Sequence, residues 1–319
     1  MGKMKNINIS NTAIKTAITQ LTSLTDADLF SGNSVTPPNK LDEFLKRPAA
    51  KSFGPVYAAT LRALEANSPN FQYIDILDAM MACGQNVPKK IRCHSPFCPR
   101  CREERRKEAS ARALKLFGSA PHSRLAFLTV LISADKNLED VPTVLDQFRK
   151  KLQNTCRNIC PRVKIMGFFE IDHKLRKLVE KRSHTSVALA GIGYDINDYS
   201  LPDEFWLPHY HAIVDVGDYS RERIREILAK AFPGSHRVRL QPLRQAQTVE
   251  EALTQITGYM LKFKLQYADN IFTSDPKSNL KAKYGSKYNP QRICDIIDFT
   301  QNNQNFKMYK CDYGTSMIS

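Results

Sequence analysis

Two histidines one residue apart stand in the run Trp206-Leu-Pro-His209-Tyr-His211-Ala-Ile-Val-Asp-Val216. The residues after the pair are apolar and β-branched and a Gly-Asp break follows, so the run reads as a β-strand. On a strand, residues i and i+2 share a face. His209 and His211 can therefore offer two imidazoles to one divalent ion. A surface pair on an edge strand is the plainer reading of the spacing alone. A metal site wants a third ligand, and Gly167-Phe-Phe-Glu170-Ile-Asp172 holds two carboxylates. Glu170 interrupts an otherwise apolar strand, where a carboxylate is costly unless it is paired or metal-bound. Oxygen ligation suits Mg2+ or Mn2+. Asp172, on the same face two residues later, reads as a solvated strand end.

A tyrosine supplies the second half of the chemistry. Thr248 to Leu265 has helical periodicity, with an apolar stripe of Val249, Leu253, Ile256, Met260 and Phe263. Tyr259 falls at the margin of that stripe, where a phenol can leave the core. Lys262 follows at i+3, on the same face. Its ammonium would favour the phenolate and steady charge on a pentavalent phosphorus. A half-buried tyrosine beside a snorkelling lysine is the alternative for an isolated pair. Taken with a metal-holding histidine pair, the tyrosine points to breaking and rejoining a phosphodiester.

A cysteine cluster forms a separate centre. Cys98-Pro-Arg-Cys101 is a knuckle whose turn aims both sulfurs at one ion, and Cys83 and Cys93 can complete a four-thiolate Zn2+ site, with His94 able to replace one thiol. The expected role is structural. Cys156, Cys160, Cys294 and Cys311 are scattered and read as small buried side chains.

The elements that must carry these groups follow from periodicity. Residues 41–82 carry helical patterns. Arg102 to Phe117 reads as one charged helix stopped by Gly118, with Arg102, Arg105 and Arg106 as candidate contacts to a nucleic-acid backbone. Leu125–Ile132 and Val163–Ile171 read as buried strands around a helix from Val141 to Asn158. A third strand is expected near Thr185–Leu189, before the histidine strand. Ser220 caps a helix ended by Pro233-Gly234, and His236–Gln241 alternates as a strand. From Asp269 onward, loop and weak helix are expected. The fold class is α+β: a central antiparallel sheet with flanking helices, preceded by a zinc knuckle and N-terminal helices.

Composition narrows the partners. The 319 residues contain 47 Lys and Arg against 32 Asp and Glu, a net charge of +15, which favours a polyanion such as nucleic acid. No apolar run is long enough to span a membrane, and the N-terminus lacks a secretory core segment, so a cytoplasmic location and no membrane partner are expected.

In this order, the motifs resemble those of rolling-circle replication initiators of plasmids and single-stranded DNA phages, in the HUH endonuclease superfamily. Phe127-Leu-Thr-Val-Leu131 is similar to the family's first motif, Pro208-His209-Tyr-His211 to its second, and Tyr259-Met-Leu-Lys262 to its third. Glu170 after Gly-x-x, and Cys98-Pro-Arg-Cys101 followed by Arg102-Glu-Glu-Arg-Arg106, are similar to a plasmid branch. The resemblance covers roughly residues 83–270. It implies a nuclease domain at 121–270 behind a zinc knuckle and basic helix at 81–120, to which composition and periodicity add an N-terminal arm and helices at 1–80 and a polar basic tail at 271–319. It also implies metal-dependent nicking of single-stranded or hairpin origin DNA, a covalent 5′-phosphotyrosine and a free 3′-hydroxyl primer, with a host helicase and polymerase as partners. A single-strand transposase of the same superfamily, or a zinc-knuckle regulator without catalysis, are the alternatives. Two positions depart from related enzymes. Phe263 stands where phage members often place a second tyrosine, which marks a one-tyrosine enzyme. Gln255 stands where some initiators carry the glutamate that activates water at termination, and Glu251 is a weak substitute for it.

Overall fold

The computed structural model describes residues 40–51, 54–66, 73–84, 92–95, 97–179, 183–244, 247–261, 290–302 and 310–314. The chain divides into two units, Met1–Glu43 and Phe44–Ser319. In chain order the elements are α1 (Lys40–Lys46), α2 (Pro48–Lys51), α3 (Gly54–Ala66), α4 (Ile74–Ala82), α5 (Pro99–Phe117), β1 (Leu125–Leu131), α6 (Val141–Ile159), β2 (Lys164–Leu175), α7 (His184–Ala190), β3 (Glu204–Asp215), α8 (Arg221–Ala231), β4 (Val238–Pro242), α9 (Val249–Met260), α10 (Pro290–Asn302) and β5 (Lys310–Tyr313). The architecture is α+β, as expected: one antiparallel sheet in the order β4-β1-β3-β2-β5, with helices against it. The histidine strand β3 is central and buried on both faces, which removes the edge-strand reading of the pair.

Strand alternation sends successive side chains to opposite faces. Tyr210, facing away from the histidines, meets Phe148 of α6 at 5.3 Å and Phe169 of β2 at 5.3 Å, ring centre to ring centre. Its hydroxyl donates to the Cys311 carbonyl at 2.6 Å and so ties β5 to the sheet. Gly167 makes this possible. A Cβ there would lie 2.3 Å from the Tyr210 oxygen, so no other residue fits beneath the phenol. The opposite face carries His209, His211 and Ile213. Beneath α5 and α9, Ala113 and Phe117 pack with Leu125, Met166, Ile213, Leu253 and Met260 in one apolar cluster.

Helix boundaries have local causes. Pro99 opens α5, and the Gly118 amide closes it on the Leu114 carbonyl at 2.8 Å. Ser220 caps α8 through the Arg223 amide, and Thr248 and Glu251 cap α9 reciprocally. The strand expected near Thr185–Leu189 is instead the helix α7. Its β-branched alternation spans only Thr185 and Val187, whereas Ser183 accepts the Ser186 amide at 3.1 Å and Ala188-Leu189-Ala190 favours helix. The C-terminal part also holds more structure than its composition promised. Helix α10 buries Ile293, Cys294, Ile296 and Ile297 and packs on α3, while β5 covers the free edge of β2. Four residues are too few for alternation to register, and β5 is a strand because β2 offers it unpaired backbone groups. Cys156, Cys160, Cys294 and Cys311 are all buried free thiols, as small core side chains should be. Among the described residues no helix is long and apolar enough to cross a membrane.

Candidate active site

Register brings the expected ligands together. Glu170 of β2 pairs directly with His209 of β3, and His211 pairs with Phe168 on the same face. All three side chains are buried, with Glu170 at 4%, His209 at 7% and His211 at 3% exposure. The Nε2 atoms of His209 and His211 lie 3.0 and 3.3 Å from one carboxylate oxygen, Oε2 of Glu170. The outer ring nitrogens are also engaged. His209 Nδ1 lies 3.1 Å from the Leu207 carbonyl, and His211 Nδ1 lies 3.0 Å from Thr129 Oγ1. A carbonyl only accepts, so the His209 proton sits on Nδ1 and the Nε2 lone pair faces the carboxylate. Two electron-rich atoms at that distance require a cation between them, either a proton or a metal ion. Ligands at about 2.1 Å and a right angle lie about 3.0 Å apart, which the observed separations match. The donor set therefore fits a hard or borderline divalent ion.

The electrostatics follow the same geometry. Burial alone would push the Glu170 carboxyl up, but the two imidazoles hydrogen-bonded to it hold it down at about 2. Burial works against a charged His209, and the Glu170 hydrogen bond reverses that and raises it; at His211 burial prevails and lowers it. Asp172, expected at a solvated strand end, is only partly exposed. One oxygen takes Lys174 Nζ at 2.9 Å and the other is buried without a hydrogen bond.

Tyr259 is on the same face as the triad. Its ring centre is 5.2 Å from that of His211 and 5.7 Å from that of Phe127, edge-on to both, and the residue remains 43% exposed. Phe127 stacks on His211 at 5.5 Å, so one aromatic side chain fixes the imidazole and the phenol together. Burial and the charges of Glu170 and Asp172 push the phenol up, while Arg239 pulls it down. Residue 262 lies outside the described residues, as does residue 263. Gln255 and Glu251 sit on α9, where the Glu251 carboxylate is committed to capping Thr248.

The four cysteines also meet. Cys83 lies 3.5 Å from Cys101 and from Cys98, and Cys93 lies 3.7 Å from Cys101, sulfur to sulfur. A tetrahedron with metal–sulfur bonds of about 2.3 Å has edges of about 3.8 Å, close to these values. Hydrogen bonding to Cys101 drives the Cys83 thiol far down and the Cys93 thiol far up. His94 is not in the ligand group; its carbonyl receives the Arg105 guanidinium. Arg105 thus braces the knuckle, whereas Arg106 keeps a buried Nε without a hydrogen bond, and Arg102 is partly exposed at the first turns of α5. The knuckle connects to the tyrosine through α5, which packs along α9 with Ser110 donating to Thr254 at 3.2 Å.

Sequence reasoning missed three supports of the site: Thr129, Phe127 as a clamp, and Arg239. The first two lie in the strand Phe127–Leu131, whose period-two pattern fixes their shared face once β1 is known to border β3. No protein-family model, curated protein or solved structure matches this chain.

Proposed function

We propose that the protein is a rolling-circle DNA replication initiator of the HUH endonuclease type, which nicks and rejoins single-stranded DNA through Tyr259. The observation that carries this reading is the placement of the Tyr259 ring against His211, one of three metal-competent side chains converging within 4.8 Å. Glu170, His209 and His211 would hold Mg2+ or Mn2+, and Cys83, Cys93, Cys98 and Cys101 a structural Zn2+. When bound, the hard ion supplies Lewis acidity at the scissile phosphate. The Leu207 carbonyl holds His209 in the ligating tautomer, and the Thr129 hydroxyl orients the His211 ring. The Tyr259 oxygen attacks phosphorus, the bond to the 3′ oxygen breaks, and the proton lost by the phenol is balanced by one taken up at that oxygen. The products are a 5′-phosphotyrosine and a 3′-hydroxyl. Energy stays in the phosphodiester, so rejoining needs no nucleotide cofactor. Arg102 and Arg106 at the start of α5 would meet the DNA backbone, with Arg105 supporting the knuckle behind them.

The test is incubation with a random-sequence single-stranded library and Mn2+, followed by denaturing electrophoresis for protein-linked DNA. Wild-type protein should yield an adduct, and Tyr259→Phe should yield none while keeping DNA binding. A wild-type protein that binds strands but never links to one would be a non-catalytic regulator, and an adduct in Tyr259→Phe would mean another nucleophile.

A further inference from the structure

The face that holds the metal-competent triad extends one strand beyond it. Thr129 of β1 pairs with His211 of β3 on one side and with Arg239 of β4 on the other. Directly opposed residues in an antiparallel sheet share a face, so His211, Thr129 and Arg239 form a row across three strands. Strands lie about 4.8 Å apart, which puts the Arg239 backbone about 10 Å from that of His211. Tyr259 stands over the same row, touching His211 and Phe127, and Phe127 pairs with Gln241, the neighbour of Arg239 on that face. Three other basic groups among the described residues have partners. Arg237 donates to the Leu131 and Ile132 carbonyls, Lys174 pairs with Asp172, and Arg124 makes two bonds to Asp215. Arg239 is exposed, and among the described residues no ion pair or hydrogen bond holds its guanidinium. An uncommitted cation on a strand next to a phenol and a metal-competent cluster is where a bound strand would place an anion.

We propose that Arg239 binds a phosphate of the single strand within one nucleotide of the linkage that Tyr259 attacks. This rests on the nicking reading and adds the residue that holds the substrate backbone beside the nucleophile. A guanidinium presents paired N–H donors that match two phosphate oxygens, which lysine cannot reproduce. The rigid sheet sets its distance from the phenol, so it would fix which phosphate is engaged as well as hold the strand.

Binding can be tested without turnover. A hairpin library is selected for affinity on Tyr259→Phe. The recovered strand is then remade with one uncharged methylphosphonate at each linkage in turn. Anisotropy titrations compare Tyr259→Phe with the double variants carrying Arg239→Ala or Arg239→Lys. Arg239→Ala should weaken binding about tenfold and lower the log–log salt slope by about 0.7, the share of one phosphate on a single strand. One methylphosphonate position should cost the parent about tenfold and cost Arg239→Ala nothing further, with Arg239→Lys in between. Unchanged melting temperature and unchanged Mn2+ binding would show that the fold and the triad are intact. Equal losses at every linkage in parent and variant, or a variant that binds like its parent, would overturn the proposal. A library that yields no bound strand overturns both readings. Coupling at one linkage in a wild-type protein that forms no adduct would leave the phosphate contact standing and remove the nicking.

Discussion

Replacing Glu170 by Gln should remove most of the metal-linked stabilisation, and the size of the loss follows from the geometry. The triad offers two imidazole nitrogens and one carboxylate oxygen, and only the carboxylate is charged. A ligand that binds the folded state alone stabilises it by RT ln(1 + [L]/Kd), about 2.7 kcal/mol at a hundredfold excess over Kd. For a 319-residue chain, with an unfolding entropy of about 2.1 cal/mol/K per residue, that raises Tm by about 4 °C. Gln keeps the volume but loses the charge and the anionic ligand, so a hundredfold weaker site leaves about 0.4 kcal/mol at the same Mn2+ concentration, or about 0.6 °C. Thr129→Val is the graded control. It removes only the hydroxyl at His211 Nδ1, and loss of such an outer partner costs about tenfold or more in affinity, leaving about 1.4 kcal/mol. The assay is differential scanning fluorimetry with and without Mn2+, each variant referred to its own metal-free Tm, with Zn2+ kept at the cysteines. Equal Mn2+ shifts in wild type and Glu170→Gln would refute the assignment of these three residues to one ion.

Three further predictions concern the frame around the site. Gly167→Ala should cost about 3 kcal/mol or more in urea unfolding, because its Cβ overlaps the Tyr210 phenol and displaces the hydrogen bond to Cys311; a cost below about 1 kcal/mol would contradict the packing. Cys98→Ser should lose the structural zinc proposed at the four cysteines by elemental analysis and lower Tm, and it should raise proteolytic susceptibility in α5; retention of a full zinc complement would exclude Cys98 as a ligand. Burial, with the charge of Arg292 adding to it and Glu204 opposing it, pushes His173 down to about 4 from 6.5. The unfolded chain therefore takes up this proton first, so stability falls as pH drops from 6.5 to 4. His173→Gln should flatten that part of the denaturation profile, and an identical slope in wild type and variant would show that His173 does not contribute.

The sequence alone marked the candidate metal-binding groups because period-two alternation and ligand type are local properties. Glu170 was conspicuous as a carboxylate in an apolar strand, and the structure shows it receiving both imidazoles. The cysteine spacing likewise sufficed to bring four sulfurs to one point. The helix cap at Ser220 was legible for the same reason, since it involves residues three apart. Strand order was not legible. That β3 is central, that β1 places Thr129 and Phe127 against His211, and that β4 brings Arg239 into the same row depend on pairings between residues far apart in the chain. The same holds for β5, a four-residue strand that exists because β2 had a free edge, and for α7, where a serine cap and alanines outweighed two β-branched residues. Residue types and short spacings decide which groups can do chemistry; long-range backbone pairing decides which of them meet, because the hydrogen bonds that set register join segments with no sequence relation to each other.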